Sequence, residues 1–332
     1  DNVLPYAEEY VRITAIGFPF LILTTGGGHI IRADGSPGMA MVCNIVGAVI
    51  NTILDAIFVM GLDMGMAGAA YATIIGQIIS AVIVIVYLLR SFKTVPLRKA
   101  HYIPNRKIIS KITSIGIASC FNQLTIMIVQ IVLNNVLGHY GALSDYGEDI
   151  PVACVGIVMK VNQLVLAIII GLGQGIQPIV SYNYGAAKYS RVKDSYRLSV
   201  AIGTVVSIIA FALFEIFPHE IISLFGTGTD KYFEFGERFM RIFLFFTWLL
   251  SLQPITTTFF TSIGKAFKGL FLSLTRQIIF FLPFLFIFTY IFGIDGVAYT
   301  GPAADFLSAV VAIVMVAIEF RNINRLEKNP AK

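Results

Sequence analysis

Long apolar runs separated by short polar connections make up most of the chain, in which 57% of the 332 residues are hydrophobic and 13% are charged. Runs of about 20 apolar residues recur along the whole length, and each is long enough to cross a bilayer as a helix. They do not alternate between apolar and polar positions, as the strands of a membrane barrel would. The pattern therefore predicts an all-α polytopic membrane protein with nine spanning segments, at about 10–31, 39–61, 67–90, 108–138, 151–180, 196–217, 237–262, 269–292 and 296–319.

Basic residues are concentrated in alternate connections between these segments. Connections 90–111 and 185–197 are rich in Lys and Arg, whereas 139–150 contains acidic residues and no Lys or Arg. Basic connections of membrane proteins remain in the cytoplasm, so we place that side inside and expect the first segment to run inward. The net charge of +5 belongs to these loops. We therefore expect a lipid bilayer as partner, no nucleic acid, and a multi-pass protein of the plasma (cytoplasmic) membrane, which is the inner membrane where a cell has two.

Three stretches near the start of the chain reappear later in the same order. The matched pairs are YVRI at 10–13 with FMRI at 239–242, Gly35 with Gly264, and GMAGAAY at 65–71 with GIDGVAY at 293–299. The offset stays near about 228 residues, and matched segments cross the membrane in the same direction, as in a parallel repeat. The second copy has six segments and the first has three. We therefore expect a parent of twelve helices in two six-helix lobes, with the first three helices missing here.

The repeat also predicts the domains. Residues 1–92 are the last three helices of the N-terminal lobe, 93–107 the cytoplasmic interlobe linker, 108–320 the six-helix C-terminal lobe, and 321–332 a cytoplasmic tail. The Gly- and Pro-containing stretches at 17–19 and 171–178 are expected to interrupt their helices.

The most informative polar residue inside a span is Asp55. A carboxylate at membrane depth is costly, and such residues usually face a bundle interior and take part in transport. Asn51 lies one helical turn earlier on the same face. Thr73 lies at similar depth on the next, antiparallel segment. Together the three supply carboxylate, amide and hydroxyl oxygens, which suit a hard cation such as Na⁺. They equally suit a proton site, because burial favours the neutral form of a carboxyl group.

Several uncharged amides lie inside other spans, and they can line a cavity for a polar or cationic substrate or hold helices together. The substrate-cavity candidates are Gln77, Gln123, Gln130, Asn162, Gln163 and Gln253. Lys160 and Asp305 are charges inside spans and form a candidate ion pair. The repeat position opposite Asp55 is Pro283, so ion coupling is expected in the first lobe.

No motif typical of an enzyme is found in the sequence. It contains no Ser-His-Asp arrangement, no Gly-rich phosphate loop with its Lys, and no cluster of metal ligands. We therefore expect no enzymatic activity and no cofactor, apart from a coupling ion.

Three motifs resemble a known transporter family. Residues 32–37 (RADGSP), 51–55 (NTILD) and 65–73 (GMAGAAYAT) look like the first-lobe signature of the multidrug and toxic compound extrusion (MATE) transporters, and 173–178 (GQGIQP) with 183–186 (NYGA) looks like the second-lobe signature. The resemblance covers the whole chain in the right order. Ala56 departs from it, since Pro is common there.

The resemblance implies a MATE-like two-lobe helical bundle that exports organic cations or drugs in exchange for H⁺ or Na⁺, acting as a monomer. It implies a first-lobe cation site with its Asn, Asp and Thr at Asn51, Asp55 and Thr73. A further Asp of that site belongs to the first helix, so we expect this chain to hold part of the site and not to couple transport normally. A lipid-precursor flippase of the same superfamily and a truncated transporter without activity are the alternatives.

Overall fold

A computed structural model describes residues 4–94, 105–226 and 228–328 of the chain. These residues form helices, and no strand is found among them. A helix suits a bilayer because each backbone N–H and C=O then finds its partner within the segment. The predicted all-α fold class is therefore confirmed. The chain divides into two compact units, Asp1–Asn105 and Arg106–Lys332.

The described part of the first unit contains helices α1 to α4, one short 3₁₀ helix and one π-helix. The bounds are α1 Leu4–Thr14, α2 Phe18–Ala33, α3 Pro37–Asp55, a π-helix at Ala56–Gly61, and α4 Gly65–Arg90. A 3₁₀ turn at Ala15–Gly17 separates α1 from α2. Pro19 stands in the first turn of α2, where the backbone N–H that it lacks is not needed. The predicted interruption at 17–19 is therefore present.

The second unit contains the remaining helices, α5 to α13. Their bounds are α5 Arg106–Ala142, α6 Asp149–Gly185, α7 Tyr189–Ile216, α8 Pro218–Ser223, α9 Asp230–Phe243, α10 Leu252–Ser262, α11 Ala266–Leu274, α12 Leu282–Phe292 and α13 Asp295–Lys328. A π-helix at Thr275–Phe281 joins α11 to α12. Buried aromatic and aliphatic side chains, among them Phe239, Phe243 and Phe259, form the core of this unit.

The helices account for each of the nine predicted spans. Within the described residues, eight helical stretches are long and apolar enough to cross a membrane. A ninth results if Asp230–Leu249 and Leu252–Ser262, which are bent by 41°, count as one span. This bent pair corresponds to the predicted segment 237–262, so the hydropathy pattern located it but did not show the bend.

Two expectations about helix continuity are corrected. Helix α6 ends at Gly185 and α13 at Lys328, whereas the apolar runs predict ends near 180 and 319. Helical hydrogen bonding does not require apolar side chains, so it continues past the hydrocarbon core. The predicted interruption at 171–178 is wrong, because α6 continues through Pro178. Neighbouring helices and side chains can satisfy the backbone groups that Pro leaves free.

The internal repeat extends to backbone conformation. Gly35 and its match Gly264 have φ values of 79° and 78°. Gly65 and its match Gly293 have φ values of 55° and 61°. These left-handed conformations favour Gly, and each pair lies in the turn before an equivalent helix. The two copies therefore make the same turns at both ends of the α3-like segment.

Candidate functional site

Two glycines bring helices α3 and α4 of the first unit into close contact. A Cβ atom added at Gly76 would lie 2.7 Å from the backbone oxygen of Gly47. One added at Gly47 would lie 1.9 Å from Ser80 Oγ. Neither position accepts a side chain without movement, so the absence of side chains allows the backbones to approach.

This close approach places Asn51 against Thr73. The amide Nδ2 of Asn51 donates to Thr73 Oγ1 at 3.4 Å, and Thr73 Oγ1 donates to the backbone oxygen of Ala69 at 2.9 Å. Both side chains are half-buried. The Asn51 carbonyl oxygen takes no part in this bond and stays available as a ligand.

A cavity of about 210 Å³ opens beside this pair. Its polar lining consists of Thr24, Asn44, Asn51, Thr73, Gln77 and Ser80. Leu21, Gly47, Ala48 and Gly76 complete it. Six of the ten lining residues therefore carry a hydroxyl or amide group, and no Lys or Arg of the described residues belongs to the lining.

Several buried oxygens around this region have no hydrogen-bond partner among the described residues. They are Thr24 Oγ1, Asp55 Oδ1 and Gln77 Oε1. A buried polar atom without a partner costs about 1–3 kcal/mol, and more when it is charged. Such atoms usually have a ligand, an ion or ordered water as the missing partner.

Asp55 lies one helical turn beyond Asn51, at the last residue of α3. It does not belong to the cavity lining, but its Oδ1 atom is buried. The backbone becomes a π-helix directly after it, at Ala56–Gly61. Single π-helical turns within longer helices occur often at functional sites. The sequence gives no signal for this change in winding.

The oxygen atoms of this site are suitable ligands for a small hard cation. The Asp55 carboxylate supplies one negative charge, and the neutral oxygens of Asn51, Thr73 and Gln77 resemble the ligands that hard cations prefer. A proton on Asp55 would satisfy the same buried oxygen. Among the described residues, no group of three or more His, Cys, Asp or Glu side chains is arranged to hold a metal ion. A cation at this site would therefore rest on a single carboxylate.

The predicted substrate-cavity residues are divided between the two units. Gln77 lies in the first unit and lines the cavity described above. Its Oε1 atom packs against Gly17, where an added Cβ would lie 2.2 Å away. Gln123, Gln130 and Gln163 are exposed on α5 and α6.

The two other candidates lie inside the second unit. Asn162 is buried, and its Oδ1 atom has no partner among the described residues. Gln253 is half-buried and donates to the backbone oxygen of Leu272 at 3.4 Å. The assignment of these second-unit amides to a substrate cavity remains a prediction.

The proposed Lys160–Asp305 ion pair is corrected. Asp305 Oδ1 instead accepts a hydrogen bond from Arg276 Nε at 2.6 Å, and Lys160 is exposed. Arg276 is also a charge inside a span, and it was not among the predicted residues. Its position eight residues into an apolar stretch that follows Lys268 was the available signal.

Gly47, Ser80 and Thr24 were not predicted as site residues. Gly47, Asn51 and Asp55 follow one another at four-residue spacing on α3, and Thr73, Gln77 and Ser80 lie on one face of α4. This alternation of small and polar residues is the signal for a close-packed polar helix interface. Thr24 gives no comparable signal.

A second polar site of the first unit surrounds Asp34, in the turn between α2 and α3. Its carboxylate accepts from Tyr87 Oη at 2.8 Å and from the backbone N–H groups of Lys93 and Thr94 at 3.1 and 2.8 Å. The Thr94 hydroxyl also donates to it. Burial alone would raise the pKa of Asp34, but the hydrogen bonds from Thr94, Lys93 and Tyr87 lower it to about 2. Asp34 thus ties the residues after α4 to the α2–α3 turn.

Comparisons with known proteins agree on one family. The MatE family model matches residues 1–57 and 118–287, which is more than half of the chain. The multidrug export protein MepA of Staphylococcus aureus (strain MSSA476) is 28% identical over 316 residues, covering 95% of this chain and 68% of MepA. MepA of Staphylococcus haemolyticus (strain JCSC1435) is 26% identical over 325 residues, with the same two shares.

Solved structures show the same fold. A multidrug resistance MATE family transporter of the MOP superfamily, in its outward-facing conformation, matches with a TM-score of 0.87 at 22% identity, over 96% of this chain and 70% of that one. A MOP superfamily transporter from Pyrococcus furiosus, described as having a binding pocket of reverse polarity that suggests a different function, matches with a TM-score of 0.86 at 22% identity, over 95% and 70%. The chain belongs to the MatE family, and it is a multi-pass transporter of the plasma membrane and not an enzyme.

Proposed function

We propose that this protein exports small cationic or amphipathic organic compounds in exchange for Na⁺ or H⁺, and that Asn51, Asp55 and Thr73 form the coupling site. The observation that carries the proposal is the buried, unpartnered carboxylate oxygen of Asp55, one turn from an oxygen-lined cavity. The export function follows MepA, a multidrug export protein that matches 95% of this chain.

The electrostatics of Asp55 explain why an ion binds there. An unpaired carboxylate inside a membrane span is unfavourable, by about 3 kcal/mol at the centre of the span and by less towards its ends. A proton or Na⁺ removes that cost, and the neutral oxygens of Asn51 and Thr73 complete the shell of a Na⁺ ion. Ion binding therefore favours whichever arrangement of α3 and α4 holds these groups together.

Exchange follows from competition for one negative charge. When Asp55 is ionised, the protein attracts a cationic substrate. When an external H⁺ or Na⁺ neutralises Asp55, that attraction is lost and the substrate leaves outward. The inward ion gradient supplies the driving force. The membrane potential adds about 2.3 kcal/mol per 100 mV for each net charge moved, so it contributes only where the charge of the substrate differs from that of the ion. Coupling requires that the ion and the substrate prefer different conformations.

Export of a lipid precursor with an anionic headgroup is the second candidate function. The Pyrococcus furiosus transporter with a pocket of reverse polarity has the same fold, so the fold alone does not choose between substrates of opposite charge. The residues of the first unit favour a cation, because its cavity is lined by neutral groups near a carboxylate and by no basic residue. In the second unit, Arg276 is already paired with Asp305.

Efflux of a fluorescent organic cation by the full-length protein tests the proposal, with Na⁺ and pH varied separately. The test variant is Asp55→Asn, which keeps the shape of the side chain and removes its charge. The matched control is Asp63→Asn, which makes the same chemical change at an exposed position in the turn before α4. Asp63 has a φ of 55°, and Asn adopts this conformation as readily as Asp.

We expect Asp55→Asn to lose ion-dependent efflux by at least about tenfold, since a neutral amide cannot exchange a charge. Asp63→Asn should retain the parent rate. The response to Na⁺ at fixed pH, or to pH without Na⁺, identifies the coupling ion. Undiminished ion-driven efflux by Asp55→Asn would refute the assignment of the coupling site.

A further inference from the structure

An ion pair lies inside the membrane spans of the second unit, apart from the proposed coupling site. Arg276 Nε and Asp305 Oδ1 are 2.6 Å apart, and their side chains are only 16% and 11% exposed. Arg276 belongs to the π-helix Thr275–Phe281, and Asp305 belongs to α13. Two charges at this depth persist only when each compensates the other. The pair takes no part in the transport scheme above, so its presence needs another explanation.

The internal repeat relates this pair to the cavity of the first unit. Asp305 lies in the helix that matches α4, and Arg276 lies in the segment that matches α3. Continuing the matched motifs along both copies places Asp305 opposite Gln77, Ser308 opposite Ser80, and Arg276 opposite Gly47 or Ala48. All four of these first-unit residues line the cavity. The ion pair therefore occupies, in the second copy, the positions that surround the cavity in the first.

The two copies differ in what fills these positions. In the first unit, Gly47 and Ala48 present at most a methyl group to the cavity lining, and Gln77 contributes an unpartnered neutral oxygen. In the second unit, a carboxylate stands in place of Gln77, and a long cationic side chain in place of Gly47 or Ala48. A guanidinium stays protonated at any physiological pH and cannot leave.

We propose that Arg276 is a built-in counter-cation, which permanently neutralises Asp305 of the second unit at the positions that line the cavity in the first. The pair Arg276–Asp305 is then neutral in every step of the cycle. The second unit binds no exchangeable ion, and all coupling passes through the first unit. This inference rests on the proposed function, because it assigns the exchangeable ion to the site at Asp55.

The proposal predicts that removing Arg276 creates a cation site at Asp305. Asp55→Asn serves as the background, so that the first-unit site contributes no ion response. Arg276→Ala is added to it, and then Asp305→Asn as a third change. The readout is the Tm of the purified full chain as guanidinium is raised through the millimolar range, with KCl at matched ionic strength as control.

We expect the Tm of the Asp55→Asn background to show no saturable change with guanidinium. Adding Arg276→Ala should lower the Tm by at least about 5 °C, because Asp305 loses its partner. Guanidinium should restore that loss in a saturable manner, whereas K⁺ at the same ionic strength should not. Adding Asp305→Asn should restore the Tm without guanidinium and abolish the response.

Several outcomes would overturn the inference. One is an Arg276→Ala variant whose Tm equals that of the Asp55→Asn background and does not change with guanidinium. Another is a guanidinium response that survives Asp305→Asn. If Arg276→Ala cannot be purified, the variant that combines Arg276→Ala with Asp305→Asn should still fold, because it leaves no unpaired charge. Failure of that variant to fold would also overturn the inference. A Na⁺ or H⁺ response that persists in Asp55→Asn and also after Asp305→Asn is added to it would contradict the proposed function and not the inference, so the two failures are distinguishable.

Discussion

The contact between α3 and α4 makes a specific prediction about Gly76. Its substitution by Ala adds one carbon, which would lie 2.7 Å from the backbone oxygen of Gly47 and 3.1 Å from Asn51 Cβ. An ordinary contact begins at 3.4 Å. The helices must therefore separate by about 0.7 Å, because a backbone oxygen cannot rotate away as a side chain can.

The separation acts directly on the candidate coupling site. The Asn51–Thr73 hydrogen bond is already 3.4 Å long, so a further movement of this size breaks it. Overpacking of this kind costs about 1–3 kcal/mol. The control is Gly26→Ala on α2, where an added Cβ meets nothing within 4 Å. Both changes replace a helical Gly by Ala, so the gain in backbone propensity is common to both and cancels in the comparison.

The assay compares the two variants in the same detergent. Thermal unfolding at one scan rate should place Gly76→Ala below Gly26→Ala by several degrees, the shift that about 1–3 kcal/mol produces in a chain of this size. Ion-driven efflux should fall in Gly76→Ala and stay at the parent level in Gly26→Ala. Equal melting temperatures and equal efflux would refute the idea that the glycine contact positions Asn51 against Thr73.

Three further changes have defined outcomes. Thr73→Val keeps the side-chain volume but removes the hydroxyl oxygen, so the concentration of Na⁺ or H⁺ that half-activates efflux should change by about tenfold; an unchanged response would remove Thr73 from the site. Asp34→Asn should lower the Tm near neutral pH. Because folding lowers the pKa of Asp34 from 3.8 to about 2 through its hydrogen bonds, that stabilisation is fully present above pH 3.8 and disappears as the pH falls to about 2, so melting curves of parent and variant should converge on acidification and not before. Replacing both Lys265 and Lys268 by Ala leaves the buried Glu319 carboxylate without its two cationic partners and should destabilise the chain by about 3–5 kcal/mol, whereas Glu319→Gln in that double variant should reverse most of the loss of Tm.

Helix positions and the Asn51–Thr73 contact followed from the sequence because they depend on local pattern and on depth. Apolar length fixes where a helix crosses, and the order of crossings fixes which side each end reaches. Residues equally far from the same surface on consecutive helices can then meet, as Asn51 and Thr73 do.

The ion-pair partner of Asp305 and the π-helix after Asp55 depend on contacts between distant helices, which the local sequence pattern does not contain. Asp305 pairs with Arg276 of the π-helix between α11 and α12, whereas Lys160 was the partner predicted from the sequence. The selection depends on which helices adjoin α13 and on side-chain direction. The π-helix after Asp55 depends likewise on how α3 meets its neighbours, since residues 56–61 have no composition that distinguishes them from an ordinary apolar helix.

Competition between substrate and ion at equilibrium tests the central claim most directly. A fluorescent organic cation is titrated into the purified protein at several Na⁺ concentrations at fixed pH, and at several pH values without Na⁺. We predict that the apparent Kd for the fluorescent cation rises with Na⁺ or with H⁺ in the parent and in Asp63→Asn, and that it becomes independent of both in Asp55→Asn. The same rise in Asp55→Asn as in the parent would contradict the claim that Asp55 couples export to the ion gradient.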